Sequence, residues 1–285
     1  FSGGLFLPLC YNYPGMGGGI MEPDYKNWFP EKFVIQSGVK ALIPLLLAIV
    51  FGAWGVGGLP VPIRLVLVFC FTMAAFWFGY RAWELWMAWK AMDLTNPSSL
   101  AWKIIKGVAS YVELPPRGRC LDIGCGSGAL TLEVAKSHPD AVIIGTDPWD
   151  PKVTPGVDQK LCQANAKAEG VKHVVFMYGI AQKVEFPDNT FDAVISNYVY
   201  HHVRGMDRVD AILEALRTLK PGGIFVIHDL MTKGFYGDRD ILLKRVLESG
   251  CKEAKLIPTD NGTFMTREEA ARAMLTGSCL LIGRK

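Results

Sequence analysis

The sequence predicts an α/β chain: a seven-stranded, mostly parallel sheet with helices on both faces, preceded by two transmembrane helices. Two observations carry that expectation. From Ala41 to Ile63, and again from Leu65 to Tyr80, no residue is charged. From about residue 97, short apolar runs alternate with amphipathic stretches, the pattern of strands joined by crossover helices. The 285 residues, 50% apolar and 20% charged, suffice for a large core and exclude a mainly disordered chain. A net charge of +3 argues against nucleic acid as a partner. Seven cysteines, with no CxxC pair and no metal-ligand spacing, read as reduced thiols facing a cytosol.

The first segment is a lead-in, residues 1–38. It opens on Phe1 rather than Met, passes through Pro14-Gly15-Met16-Gly17-Gly18-Gly19, and turns polar after Met21. That opening reads as a fragment or an over-extended start, and no function is assigned to it.

The second segment, residues 39–90, reads as a transmembrane helical hairpin with helices over 39–58 and 63–86. A bilayer core of ~30 Å takes ~20 helical residues. The second run reaches that length only by passing Arg81, which pairs with Glu84 one turn on. The Gly/Pro cluster from Gly52 to Pro62 supplies the turn. A cleaved signal peptide fails, because the run lies deep in the chain and a second follows it. A soluble buried helix pair and a hairpin dipping into one leaflet are the rivals, the latter because Pro44 interrupts the first run. Lys26, Lys32 and Lys40 precede the hairpin and Arg81, Lys90, Lys103 and Lys106 follow it, while the turn side holds only Arg64. The positive-inside rule puts both flanks in the cytoplasm, with Trp77 to Trp89 at that interface.

The third segment spans residues 97–285. Asn96-Pro97-Ser98-Ser99 starts a helix to about Val112, which Pro115-Pro116 ends. Strands are predicted near 119–123, 141–146, 173–178, 191–196, 222–228, 251–257 and 278–284. Helices fall near 129–138, 155–169, 207–219, 236–249 and 266–275, the last opened by a capping box of Thr266 and Glu269. In such sheets a ligand sits beyond the carboxyl ends of the strands.

The chemistry motif is Leu121-Asp122-Ile123-Gly124-Cys125-Gly126-Ser127-Gly128, an apolar strand running into a glycine loop and then a helix. Glycines let the backbone turn sharply and approach a ligand, and free N–H groups at a helix start suit an anionic group. Gly124-x-Gly126-x-x-Ala129 also satisfies the dinucleotide fingerprint. Three features break the tie: the alternation G-x-G-x-G two residues after Asp122, a second acid, Asp147, ending the next strand, and Leu219-Lys220-Pro221-Gly222-Gly223 before a later strand.

Over residues 98–285 this combination resembles the class I S-adenosylmethionine-dependent methyltransferases. The resemblance implies a Rossmann-like sheet of seven strands, the last antiparallel, and S-adenosylmethionine as cofactor with S-adenosylhomocysteine as product. It implies that Asp122 and the loop Gly124, Cys125, Gly126 and Gly128 face the methionine part. Asp147 would hold the ribose, with Pro148 and Trp149 near the adenine. Many members carry Gly-Asp-Ala after the third strand; here the stretch is Gly179-Ile180-Ala181, and Ile180 makes no side-chain bond to the adenine amine. Phe191-Asp192-Ala193-Val194-Ile195-Ser196-Asn197 matches the family's fourth motif and sets Asn197 beside the cofactor. A helix between the last two strands, where many members have a hairpin, is a departure.

Beyond Asn197 comes Tyr198-Val199-Tyr200-His201-His202-Val203. Paired histidines here resemble the subgroup that methylates quinones, sterols and other small molecules. His202, then His201, is the candidate proton acceptor, since imidazole titrates near neutral pH. Tyr198 would wall the pocket or orient an acceptor hydroxyl. His228-Asp229 is a second polar pair at the same sheet edge, read equally well as a strand-end turn. The leading expectation is a membrane-anchored methyltransferase, its catalytic domain cytoplasmic, acting on a small lipophilic acceptor without a metal. The alternatives are a membrane-anchored cofactor sensor or scaffold without turnover, a nicotinamide dehydrogenase, and a protein or nucleic-acid methyltransferase.

Overall fold

The computed structural model describes residues 22–29, 31–53 and 58–285. The glycine run of the lead-in, and residues 54–57 of the hairpin turn, lie outside them. Helices α1 (Glu31–Ala53) and α2 (Val61–Ala91) pack as an antiparallel pair. Both are longer than the helices predicted over 39–58 and 63–86. Helix α1 begins eight residues before position 39, because polar residues at its start still have helical propensity and solvate its first turns. Helix α2 continues past residue 86 to Ala91, with Arg81 and Glu84 paired on one face. Arg64 caps the hairpin: its guanidinium donates to the carbonyls of Phe51 (3.3 Å) and Gly52 (3.1 Å) at the end of α1.

The apolar side chains of the pair face outward. Leu42, Leu46, Leu65, Phe69 and Phe76 are 56%, 59%, 64%, 66% and 76% exposed. Both helices are long and apolar enough to cross a membrane, and in the most apolar stretch of each almost nothing is buried by the rest of the chain. A helix pair inside a soluble core shows the reverse.

Helix α3 (Leu100–Ala109), capped by Ser99, leads into the sheet. Its strands are β1 (Arg119–Ile123), β2 (Val142–Asp147), β3 (Val174–Tyr178), β4 (Phe191–Asn197), β5 (Leu219–Leu230), β6 (Glu253–Pro258) and β7 (Ser278–Arg284). They lie in the order β3-β2-β1-β4-β5-β7-β6, with β7 antiparallel to both its neighbours and the pairs from β3 to β5 parallel. The sheet is thus mixed and Rossmann-like. Its helices are α4 (Ala129–Ser137), α5 (Gln159–Ala168), α6 (Arg208–Arg217), α7 (Lys233–Tyr236), α8 (Arg239–Glu248) and α9 (Arg267–Arg272), the last between β6 and β7. The central strands are buried on both faces, which is why they read as near-continuous apolar runs rather than alternating ones.

Helix α5 starts at Gln159, not near 155. Pro155-Gly156 forms a turn, and the Asp158 side chain then caps the helix by accepting from Leu161 N–H. Strand β5 starts three residues early, because Leu219 pairs with Phe191 before the Pro221-Gly222 irregularity restores the register at Ile224.

The core reaches outside residues 97–285. Tyr25, Met92 and Leu94 are buried in the same layer as α3 and α4. Tyr25 stacks edge-on against Trp102, ring centroids 5.3 Å apart, and donates its hydroxyl to Glu169 at 2.8 Å. Removing a buried aromatic costs about 3–5 kcal/mol. Tyr25→Ala should therefore lower the thermal midpoint of the detergent-solubilised chain by several degrees, while Lys26→Ala, at an exposed neighbour, leaves it unchanged in the same melt.

Candidate functional site

The strand order reverses between β1 and β4, since β1 is followed by β2 on one side while β4 continues to β5 on the other. Crossover helices then leave the sheet on opposite faces, and a crevice opens at the carboxyl edge. The Gly124–Gly128 loop leaves β1 there, and the turn 198–203 leaves β4 there.

These two segments touch. A Cβ on Gly124 would stand 2.2 Å from Cγ2 of Val199, and Gly124 has φ +73°, so only glycine fits. The loop is hung from β2 by two bonds, Gly124 N–H and Cys125 N–H both donating to the Thr146 carbonyl at 2.7 and 3.0 Å. Gly126, φ +54°, faces open space: a Cβ there would meet no heavy atom within 4 Å. Its peptide is fixed from three directions. Its N–H donates to Asp147 Oδ2 at 2.9 Å, and its carbonyl accepts from Trp149 Nε1 at 2.9 Å and from Cys162 Sγ at 3.0 Å. Gly128 forms the start of α4, and Cys125 is buried under the loop.

The two acids of the motif occupy different ground. Asp147 accepts from Trp149 N–H on Oδ1 at 2.6 Å and from Gly126 N–H on Oδ2. A carboxylate has about four acceptor positions, so Asp147 keeps capacity for a further donor. Burial raises its carboxyl above the ordinary value despite these bonds. Asp122, expected to face a ligand beside the glycines, is instead only 1% exposed and turned under the loop, where Thr131 Oγ1 of α4 donates to it at 2.6 Å. Residue alternation in β1 causes this: side chains of Leu121 and Asp122 leave opposite faces of the sheet, and that of Asp122 meets α4. Burial pushes the Asp122 carboxyl up to about 7.

Pro148 is exposed and Trp149 half-buried, at the end of β2. Ile180 is 37% exposed and Ala181 buried, in a tight turn where Lys183 N–H donates to the Ile180 carbonyl. The Asn197 amide oxygen lies 2.8 Å from His228 Nδ1, and His228 Nε2 lies 2.8 Å from the Thr259 hydroxyl. Burial pushes His228 down to about 3, so it stays neutral. Tyr198 has φ +57° and points its hydroxyl at Ser278 Oγ of β7, 2.7 Å away, so that hydroxyl is turned from the crevice into the sheet.

Residues 200–202 form one short 3-10 turn. His201 is half-buried and pairs with Asp229 at the end of β5; His202 is exposed and stacks on His201, ring centroids 3.9 Å apart. Burial first, then the neighbouring His201, lowers the basicity of His202.

Several contributors were not singled out from sequence. Cys162 and Asn165 of α5 both reach the loop, Asn165 Nδ2 donating to the Ser127 carbonyl at 3.0 Å. Their i, i+3 spacing puts them on one helix face, the only sequence signal available. Asn165 also exchanges bonds with the backbone of Asp24. Trp28 packs edge-on against Tyr198 at 6.0 Å. The stretch 22–29 thereby crosses from the glycine loop to the end of β4.

Residues 121–227, β1 through most of β5, match the family model described as a methyltransferase domain. A domain of this kind takes its methyl group from S-adenosylmethionine. An uncharacterized methyltransferase of Schizosaccharomyces pombe is 32% identical over 125 residues, 43% of this chain and 44% of that one. The ubiquinone/menaquinone biosynthesis C-methyltransferase of Geobacter sulfurreducens is 33% identical over 130 residues, 45% of this chain and 46% of that one. A sterol 24-C-methyltransferase of Aspergillus fumigatus is 33% identical over 122 residues, 42% of this chain and 30% of that one. The match thus spans less than half the length of each of these relatives.

Asp122 makes the fold pH-dependent. Its folded value of about 7 exceeds the ordinary 3.8, so the folded chain holds a proton that the unfolded chain releases across that interval. The stability this contributes is complete below pH 3.8 and is lost as pH rises through 7. Asp122→Asn should flatten the fall in thermal midpoint between pH 4 and pH 8; a parallel fall in parent and variant would rule out Asp122 as its source.

Proposed function

We propose that the chain is a membrane-anchored, S-adenosylmethionine-dependent methyltransferase whose acceptor is a small lipophilic molecule. The observation that supports this reading best is the meeting, in the β1/β4 crevice, of an open glycine loop with a histidine turn. The residues fit the cofactor. Gly126 leaves a space that any side chain would fill, and Asp147 keeps acceptor capacity for ribose hydroxyls beside it. The Gly124–Gly128 loop would hold the methionine part, Pro148, Trp149, Ile180 and Ala181 would flank the adenine, and Asn197 would lie near the sulfonium. Asp122 would act from beneath, by holding Thr131 and the start of α4.

When bound, the cofactor supplies a methyl group already activated on its sulfonium. The chain's own tasks are then to align the acceptor, exclude water and take up a proton. Val199 closes the crevice against Gly124, and the His201–His202 turn offers the proton acceptor.

The outward apolar faces of α1 and α2 support the anchor, with residues 39–90 as the transmembrane segment and residues 97–285 as a cytoplasmic catalytic domain. Such an anchor would hold the crevice near a bilayer that dissolves the acceptor. Relatives named for sterol and quinone methylation favour that chemical class.

Two experiments test the proposal. Calorimetry on the full chain in detergent micelles should show S-adenosylhomocysteine binding and no NAD binding, and Gly126→Val should abolish it, because a branched side chain at φ +54° fills the cradle. Methyl transfer from labelled S-adenosylmethionine to a short-chain naphthoquinol or a sterol should follow; binding without transfer to any acceptor supports the sensor reading. For the anchor, single cysteines at positions 60 and 113, in a chain lacking Cys70, report sidedness. The Pro60 probe should label from outside intact cells and the Glu113 probe should not. Labelling of neither indicates a hairpin within one leaflet, and the reverse pattern rejects the orientation.

A further inference from the structure

The His201 ring is anchored more firmly than a surface turn requires. Its Nδ1 lies 2.5 Å from Asp229 Oδ1, and its backbone N–H donates to Asp229 Oδ2 at 3.0 Å. The same carboxylate accepts from the Tyr236 hydroxyl of α7 at 2.9 Å and from Leu230 N–H at 2.6 Å. Asp229 is fully buried. Burial alone raises its carboxyl, yet the His201 bond and the other donors hold it below the ordinary carboxylate value. An ionised carboxylate only accepts, so His201 Nδ1 must carry the proton and Nε2 of the neutral ring presents a lone pair.

Nε2 remains accessible. It has no partner among the described residues, and the sealed, unpartnered side-chain polar atom there is the Tyr200 hydroxyl instead. The ring is bordered by His202 at 3.9 Å, Phe235 at 5.6 Å and Tyr198 at 6.3 Å, while Arg208 Nε donates to the His201 carbonyl at 3.3 Å. His202, by contrast, is exposed and makes no side-chain hydrogen bond to a carboxylate among the described residues.

We infer that Asp229, steadied by Tyr236, is the positioning residue for the base of this site, and that His201 rather than His202 receives the acceptor's proton at Nε2. The inference rests on the methyltransferase reading. In the step it serves, an acceptor electron pair, a heteroatom lone pair or a carbon π pair, forms the new bond to the methyl carbon and the carbon–sulfur electrons return to sulfur. The acceptor proton passes to His201 Nε2, and the imidazolium so formed faces a fixed negative charge at Nδ1.

Asp229→Asn is the informative variant. Its amide removes the negative charge and meets a backbone N–H in either orientation. With the oxygen toward Nδ1 it keeps the Nδ1–H and Leu230 bonds and loses the one from His201 N–H. With the nitrogen toward Nδ1 it loses Leu230 and favours the Nε2–H tautomer, which blocks Nε2. Imidazole ¹⁵N shifts of the full chain in micelles, with the His201 signal assigned through His201→Gln, report this directly. The neutral parent ring should carry its proton on Nδ1, and the variant ring should either move it to Nε2 or keep it on Nδ1 without the facing charge. Turnover of the naphthoquinol or sterol probe should fall ~10²-fold or more in Asp229→Asn. Its KM and its S-adenosylhomocysteine affinity should stay within about threefold of the parent. Tyr236→Phe, which removes one donor and spares the His201–Asp229 bond, should keep the parent tautomer and lose less than tenfold. A parent ring protonated on Nε2, or an Asp229→Asn chain with parental tautomer and kcat, overturns the assignment while leaving the methyltransferase reading in place. A parent chain that binds no S-adenosylhomocysteine overturns both.

Discussion

The contact between the bare Cα of Gly124 and the side chain of Val199 is the constraint on which the site depends. One strand supplies the loop that would hold a cofactor and another the turn that would meet an acceptor. The two strands are adjacent in the sheet, with Leu121 opposite Val194 and Asp122 opposite Ile195. That adjacency does not by itself bring their loops together. A side chain at position 124 would collide with Val199 at 2.2 Å and push the turn away. With glycine there, the backbone of the loop forms one wall of the crevice and the β4 turn forms the other. His201 then stands over the end of β5, where Asp229 waits for it.

The parts of this arrangement that were legible in the sequence are those set by local rules. Glycine alternation after an apolar strand marks a loop of positive φ, and Gly124, Gly126 and Gly128 all adopt it. The capping box of Thr266 and Glu269 forms as the residue types require. What was not legible depends on distant partners. Nothing near His201 in the chain says that Asp229, 28 residues on, closes on its Nδ1. Likewise Asp122 lies in the motif, but its burial beneath Thr131 follows from how α4 packs on β1. Helix ends moved for a related reason: the first turns of α1 carry charge, so hydropathy alone starts the helix too late.

The stretch 22–29 joins the apolar hairpin to the crevice. Tyr25 is buried against Trp102, Asp24 is held by Asn165, and Trp28 rests on Tyr198. Asn165 serves both partners at once, since its amide also donates to Ser127 of the glycine loop. Asn27 donates to the Trp89 carbonyl near the end of α2 and pairs with Asp93 just beyond it. The segment entering the hairpin and the one leaving it are therefore tied to each other and to the sheet. A hairpin fixed in a bilayer would hold the crevice in a defined orientation rather than on a loose tether.

Three acids at this one sheet edge, Asp122, Asp147 and Asp229, are all buried, yet they differ in charge state. Burial raises each carboxyl, so the difference comes from the donors and charges around them. Asp122 is served by Thr131 alone and rises to about 7. Asp147, with two backbone N–H donors, also rises. Asp229, with Tyr236, Leu230 and the ring and backbone of His201, is held low. The edge thus has two acids beneath and beside the glycine loop whose ionisation is costly without a further donor or positive charge. It has a third that stays ionised at neutral pH. A ligand's hydroxyls would offset the cost at Asp147, and its positive charge would lessen it at both. The charge of the third is of no use to such a ligand directly; it lies against His201 Nδ1 and fixes which ring nitrogen faces away from it.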